Sequence, residues 1–152
     1  MPRLVGTRFD HADASDSVPV FLLRTLRNVS ILLVMRLSIV IPALDEGKKI
    51  SQDVKAASEF IARHGLTGEV IVVDDGSSDE TATRACEVVI PSEVRRTVIR
   101  HDIHRGKGFA VRTGILASQG EYVMFADSGL TVPFESALKG LRLLQEGTCE
   151  LA

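Results

Sequence analysis

Apolar and polar positions change rhythm repeatedly along the chain, and each change marks an expected element. Leu37-Ser-Ile-Val-Ile41 is a short, largely β-branched run closed by Pro42, which suits a buried strand that ends where the chain turns. Behind it Ile50, Val54, Ala57 and Ile61 recur at helical spacing and Gly65 ends the pattern, so an amphipathic helix is predicted on one face of a sheet. Glu69-Val-Ile-Val-Val73 is the second strand, and its nearly continuous apolar character is that of a strand covered on both faces. Ser77 with Glu80 has the form of a capping box and predicts a helix through Ala82, Ala85 and Val89.

Thr97-Val-Ile-Arg100 gives a third strand, a glycine-punctuated helix spans 107–117, and Glu121-Tyr-Val-Met-Phe125 gives a fourth strand. Pro133 suits a helix start, with Phe134, Ala137, Leu138 and Leu141 as the apolar stripe behind it. Strand and helix alternate throughout, which predicts an α/β fold with a Rossmann-like, doubly wound, mainly parallel sheet.

The beginning of the chain reads differently. Residues 1–17 are polar and aperiodic, and no fixed structure is expected there. Between Val18 and Val34, Phe21, Leu22, Leu23, Leu26 and Val29 fit a short amphipathic helix, packed on the main domain or lying on a membrane surface, with packing favoured. The expected division is a polar tail and short apolar segment over 1–34 and a domain over 35–152. Arg24, Arg27 and Arg36 interrupt the stretch Val18 to Ile41, so no transmembrane span is predicted. Asp10, Asp13 and Asp16 precede the apolar run in place of a secretory signal. The expected location is cytoplasmic, with peripheral contact at the inner face of a membrane left open.

Composition adds boundaries. A chain of 152 residues, 45% hydrophobic and 25% charged, is a globular domain that needs neither disulfide nor metal for stability. Cys86 and Cys149 lack C-x-x-C spacing and are read as reduced. Eighteen basic and twenty acidic residues give a net charge of −2, and their scatter argues against a nucleic-acid partner.

In an open parallel sheet, the loops after the strand C-termini meet at one edge, where ligands bind. Four segments are expected there: Pro42-Ala-Leu-Asp-Glu46, Asp74-Asp-Gly-Ser-Ser-Asp79, His101-Asp-Ile-His-Arg-Gly-Lys-Gly108 and Ala126-Asp-Ser-Gly129. A carboxylate of the Asp74-Asp75 pair can accept hydrogen bonds from a nucleobase or ribose, or cap the next helix. Arg105-Gly-Lys-Gly108 sets cationic side chains beside glycines that let backbone N–H groups approach a phosphate, without the spacing of a Walker A loop. His101 and His104 lack a matching Cys or carboxylate cluster, so metal binding by them is disfavoured. Asp127 closes an apolar strand inside the crevice, where its carboxylate must meet water, a ribose or a cation. No G-x-G-x-x-G follows the first strand, which argues against a dinucleotide-dependent oxidoreductase.

Together, residues 37–152 resemble the first half of a family 2 glycosyltransferase with the GT-A fold, most closely the dolichyl- or polyprenyl-phosphate branch. The resemblance rests on Ser38-Ile-Val-Ile-Pro-Ala43 with Asp45-Glu46, and on Val72-Val-Asp-Asp-Gly-Ser-Ser-Asp79 with Thr81. It rests equally on Arg105-Gly-Lys-Gly108 with Ala110-Val-Arg-Thr-Gly114, and on Gly120-Glu-Tyr-Val-Met-Phe-Ala-Asp127 leading to Pro133. It implies a hexosyltransferase that uses a UDP- or GDP-linked nucleotide sugar and an acceptor such as polyprenyl phosphate. It further implies that Pro42, Ala43 and Glu46 border the nucleoside, that Asp75, helped by Asp74, holds the base or ribose, and that Lys107 lies near the diphosphate. Asp127 matches the first carboxylate of the family's Asp-x-Asp, which addresses the ribose and a divalent cation, Mg2+ or Mn2+.

Departures from that pattern carry their own expectations. Gly129 replaces the second aspartate, so cation affinity should fall or depend on a substitute such as Glu135. Leu44 and Asp45 stand where the family commonly has an aromatic residue and Asn, a change that touches base packing. The chain stops at Leu151-Ala152, in what reads as the next strand, so the family's general base and lipid-phosphate contacts have no counterpart and no catalytic residue is assigned. Donor binding with slight or absent turnover is expected, and the alternative is a non-catalytic nucleotide-binding or interaction module derived from such an enzyme.

Overall fold

In the computed structural model, which describes residues 22–24, 36–129 and 133–151, the first expected strand is the centre of a five-stranded sheet. Strand β2 (Arg36–Ala43) pairs in parallel with β3 (Thr67–Asp74) on one side and β5 (Tyr122–Phe125) on the other, and β4 (Val94–Arg100) pairs in parallel with β3. A central strand is covered twice, and its side chains divide accordingly. Leu37, Ile39 and Ile41 enter one core and Val40 the other.

Helix α1 (Ile50–Arg63) fills the larger core with Ile50, Val54, Ala57, Phe60 and Ile61, the stripe its periodicity announces. On the same face lie α2 (Thr81–Glu87) and α4 (Ala137–Gln145), the latter entered through a single 3-10 turn at Phe134–Ser136. Helix α3 (Lys107–Ala117) covers the opposite face, where Ala110 packs with Val40, Ile71, Val73 and Val123. A Cβ at Gly114 would stand 2.2 Å from Val40 Cγ1, so this glycine is what lets α3 lie so close to the sheet. From β4 the chain returns through α3 to β5 on the far side of β2, giving the order β4-β3-β2-β5. The strand order therefore reverses between β2 and β5, and a crevice opens beyond their C-terminal ends.

Two expectations are corrected. Leu22–Arg24, within the helix expected over Val18–Val34, runs instead as strand β1, antiparallel to β5 with Leu22 opposite Met124 and Arg24 opposite Tyr122. Pairing with the edge of β5 satisfies backbone groups that an open strand would leave bare. The remainder of that segment and the polar tail lie outside the described residues. Ser77 also does not cap α2. The helix starts at Thr81, whose N–H donates to Asp79 Oδ1 at 2.9 Å, while Ser77 Oγ accepts from Asp45 N at 2.9 Å and Glu80 pairs with Arg84 at 2.7 Å. Val89 lies past the end of this helix and is exposed. Both cysteines are free thiols. Among the described residues no helix is long and apolar enough to cross a membrane.

Candidate functional site: a cleft at the C-terminal edge of the sheet

One wall of the cleft is made by stitching two loops together. After β2 the chain turns through Asp45 at φ 53°, a left-handed conformation that Asp and Asn tolerate better than most residues. From this turn Asp45 Oδ1 accepts from Ser78 N at 2.8 Å, Glu46 N donates to Thr81 Oγ1 at 2.8 Å, and Gly47 N donates to Asp79 Oδ2 at 2.9 Å. With the Asp45–Ser77 bond, these contacts fix the loop carrying Pro42, Ala43, Leu44 and Glu46 against the start of α2. The Thr81 hydroxyl holds the Asp79 carboxyl below its ordinary range, and the Gly47 and Thr81 amides act the same way against a smaller opposing effect of burial.

The neighbouring acids at the end of β3 do different work. Asp74 is fully buried beneath the turn, with Oδ1 accepting from Ser77 N at 2.8 Å and Oδ2 lying 3.5 Å from Arg100 Nε. Asp75 faces the loop that follows β4. Its Oδ1 lies 2.7 Å from His101 Nδ1, and its Oδ2 lies 2.8 Å from His104 Nδ1 and accepts from Gly106 N at 2.7 Å. The Arg105 N–H adds a bond at 3.1 Å. Burial pushes the Asp75 carboxyl up, but the bonds from His101, Arg105 and Gly106 and the charge of His104 outweigh it and leave it below its ordinary value. Asp75 thus folds the segment 101–106 around itself and fixes where α3 begins.

Helix α3 opens at Lys107 behind Gly106, which has φ 95°. The first amides of a helix have no intrahelical acceptor and attract anions. A Cβ at Gly106 or Gly108 would meet nothing within 4 Å, so the space in front of this helix end is open. The Lys107 ammonium lies 2.5 Å from Asp127 Oδ1 and 6.0 Å from the centroid of the Phe125 ring. Asp127 follows β5, which Ala126 N extends with a bond to Val40 O at 2.9 Å. Gly129 N then donates to both oxygens of Asp53, at 3.0 Å each. Asp53 is a buried carboxylate in the first turn of α1, a position the helix dipole favours for an anion.

Pro42, Ala43, Glu46, Asp75 and Lys107 line one cleft of about 190 Å³. Asp127 joins them through its contact with Lys107, whereas Asp74 stays beneath the turn and does not border the cleft. Leu44, His104 and Ala110 complete the lining. His104 carried a signal in its spacing from His101, and the use of that signal is to hold Asp75. Asp53 also carried one, as an acid set among the buried positions Ile50, Val54 and Ala57 of α1. A buried charge of that kind requires a partner.

The side chains present do not fit a ready-made divalent-cation centre. Among the described residues no group of three or more His, Cys, Asp or Glu side chains could hold a metal ion. Asp127 already contacts an ammonium, Gly129 offers no side-chain oxygen, and the suggested substitute Glu135 is elsewhere. Glu135 pairs with Arg63 at 3.1 Å in the last turn of α1. Gly129 is held at the first turn by Asp53, roughly 15 Å away by helix rise.

Residues 38–152 match Glycosyl transferase family 2. A dolichyl-phosphate beta-glucosyltransferase from Homo sapiens is 36% identical over 128 residues, covering 77% of this chain and 39% of the human protein. A glucosyl-3-phosphoglycerate synthase from Mycobacterium tuberculosis, solved with Mn2+, UDP and glucosyl-3-phosphoglycerate, is 28% identical with a TM-score of 0.49, covering 62% of this chain and 33% of that one. TarS from S. aureus is 22% identical with a TM-score of 0.55, covering 74% of this chain and 33% of that one, a likeness of fold. The chain thus spans well under half the length of the proteins it matches. With four loop motifs meeting at one sheet edge and the family match running from Ser38 onward, the chain belongs to glycosyl transferase family 2 and has its GT-A fold.

Proposed function

We propose that residues 35–152 supply the donor site of a hexosyltransferase that takes its sugar from a UDP- or GDP-linked donor and passes it to a lipid phosphate of the polyprenyl type. The observation that carries this reading is the meeting of Glu46, Asp75 and Lys107 in one cleft, with Asp127 on its border. The nucleoside would lie along Pro42, Ala43 and Leu44, with Asp75 setting the depth of the cleft and His104 facing the base or ribose. The diphosphate would meet the start of α3 and Lys107. As the sugar–oxygen bond breaks, that positive end stabilises the charge developing on the leaving nucleoside diphosphate, in a place where no reorganisation is needed. The residue that deprotonates the acceptor is not assigned within this chain.

The acceptor class draws on the 36% identity with the dolichyl-phosphate beta-glucosyltransferase. A lipid acceptor would bring the chain to a membrane surface on the cytoplasmic side without a span of its own among the described helices. Calorimetric titration with UDP-glucose and GDP-mannose tests the donor site directly. Saturable binding of at least one donor is expected. A folded sample that takes up neither favours the non-catalytic interaction module instead.

A further inference from the structure

We infer that Lys107 takes the place of a divalent cation in this chain, so that a nucleoside diphosphate is bound here without metal. The inference rests on the donor-site reading above. Every acid bordering the cleft already has a partner within the chain. Asp75 is held by two histidines and two backbone amides, Glu46 lies 3.7 Å from Lys49, and Asp127 Oδ1 lies 2.5 Å from the Lys107 ammonium. A dication approaching Asp127 would enter the space that this ammonium fills and would be repelled by it at close range.

The second ligand position is closed by the backbone rather than merely emptied. Gly129 sits at φ 101°, a conformation that side-chain-bearing residues rarely adopt, and its N–H is bound to Asp53. The loop is therefore shaped for glycine at that point. The cationic group, by contrast, is well supported. Lys107 is the first residue of α3, the Phe125 ring lies near its ammonium, and open space lies before Gly106 and Gly108. One ammonium and one helix N-terminus then meet the diphosphate together. Asp127 acts as a positioning residue that holds the lysine in place.

Titration calorimetry on the 152-residue chain with UDP and with GDP, in EDTA and in excess Mg2+ or Mn2+, tests this. The dissociation constant is expected to agree within about threefold between the two conditions. Tightening by about tenfold or more on adding metal overturns the inference while upholding the nucleotide site. Absence of binding in both conditions overturns the nucleotide site and the inference with it. Lys107→Met is expected to lose about tenfold or more in EDTA without recovery in Mn2+. Asp127→Asn loosens the lysine and is expected to weaken binding by a similar factor in EDTA and in Mn2+, whereas a loss seen only in Mn2+ would make Asp127 a metal ligand and overturn the inference. The comparison of buffers on the unaltered chain needs no variant to fold, and circular dichroism checks those that are made.

Discussion

The two ends of the sheet use the same residue types to opposite effect. At the N-terminal end of the strands, Glu69 is buried and accepts from Ser38 Oγ at 2.7 Å and Gln119 N at 2.7 Å, while Ser38 Oγ accepts from Gly120 N at 2.8 Å. A Cβ at Gly120 would stand 2.7 Å from Ser38 N and from Ser38 Oγ, and the hollow beside this network is only about 20 Å³. At the C-terminal end Asp75 is as buried as Glu69, but its bonds organise a loop; Gly76 beside it is closed against Ile103 and His104, while Gly106, whose N–H it accepts, faces open space at the start of α3. A buried acid whose donors are closed in on every side builds a seam. A buried acid whose donors lead to an open helix end builds a site.

Substitutions can break this contrast, and the largest effect belongs to the seam. Gly120→Ala forces a methyl group into backbone and is expected to cost about 3 kcal/mol, lowering the melting temperature by roughly 10 °C. Calorimetric melting checks it, and an unchanged melting point would show that the seam can yield. Glu69→Ala leaves the Ser38 hydroxyl and the Gln119 amide without their acceptor and is expected to cost about 2 kcal/mol, read from the shift in urea midpoint.

Acid pH probes the charge of Asp75 directly. Asp75 has its carboxyl held below the ordinary value of 3.8 in the folded state. Its stabilising contribution is therefore complete above that value and is lost as pH falls through the depressed folded value. The urea midpoint of the parent chain should exceed that of Asp75→Asn at about pH 5 and converge with it as pH falls below about 4. A margin that persists to the lowest pH at which the chain folds would assign the effect to shape rather than charge.

The smallest expected change in stability is at an open glycine. Gly108→Ala meets no atom within 4 Å and lies in a helix, so a gain of about 0.5 kcal/mol is expected. On the proposed donor site the same methyl group would stand where a phosphate approaches, so weaker UDP binding in calorimetry should accompany the gain. Stabilisation with unaltered binding would place the diphosphate elsewhere.

Much of this architecture is legible in the sequence because periodicity reports burial. The runs at 37–41 and 69–73 are apolar because both faces are covered, and the stripe Ile50, Val54, Ala57, Ile61 is one helix face. The convergence of Glu46, Asp75 and Lys107 follows from strand order alone, since loops after parallel strands share an edge. What the local pattern could not reveal depends on partners distant in the chain. Ser77 and Glu80 have the spacing of a capping box, yet Asp45 claims Ser77 from another loop. Leu22–Arg24 becomes a strand because β5 offers it an edge, and no spacing within the segment encodes that offer. Glu135 is near Asp127 in sequence, but Gly129 is held at the first turn of α1 and Glu135 at its last.

The bonds joining the turn at Asp45 to the residues from Ser77 to Thr81 bear on how a ligand is chosen. A wall already locked by its own amides and hydroxyls loses no further freedom when a nucleoside arrives, which favours affinity. It also cannot reshape itself around a second ring. On the proposed reading, a purine and a pyrimidine laid against Pro42, Ala43 and Leu44 would meet an unyielding surface, and discrimination between bases would be fixed at folding rather than decided on encounter.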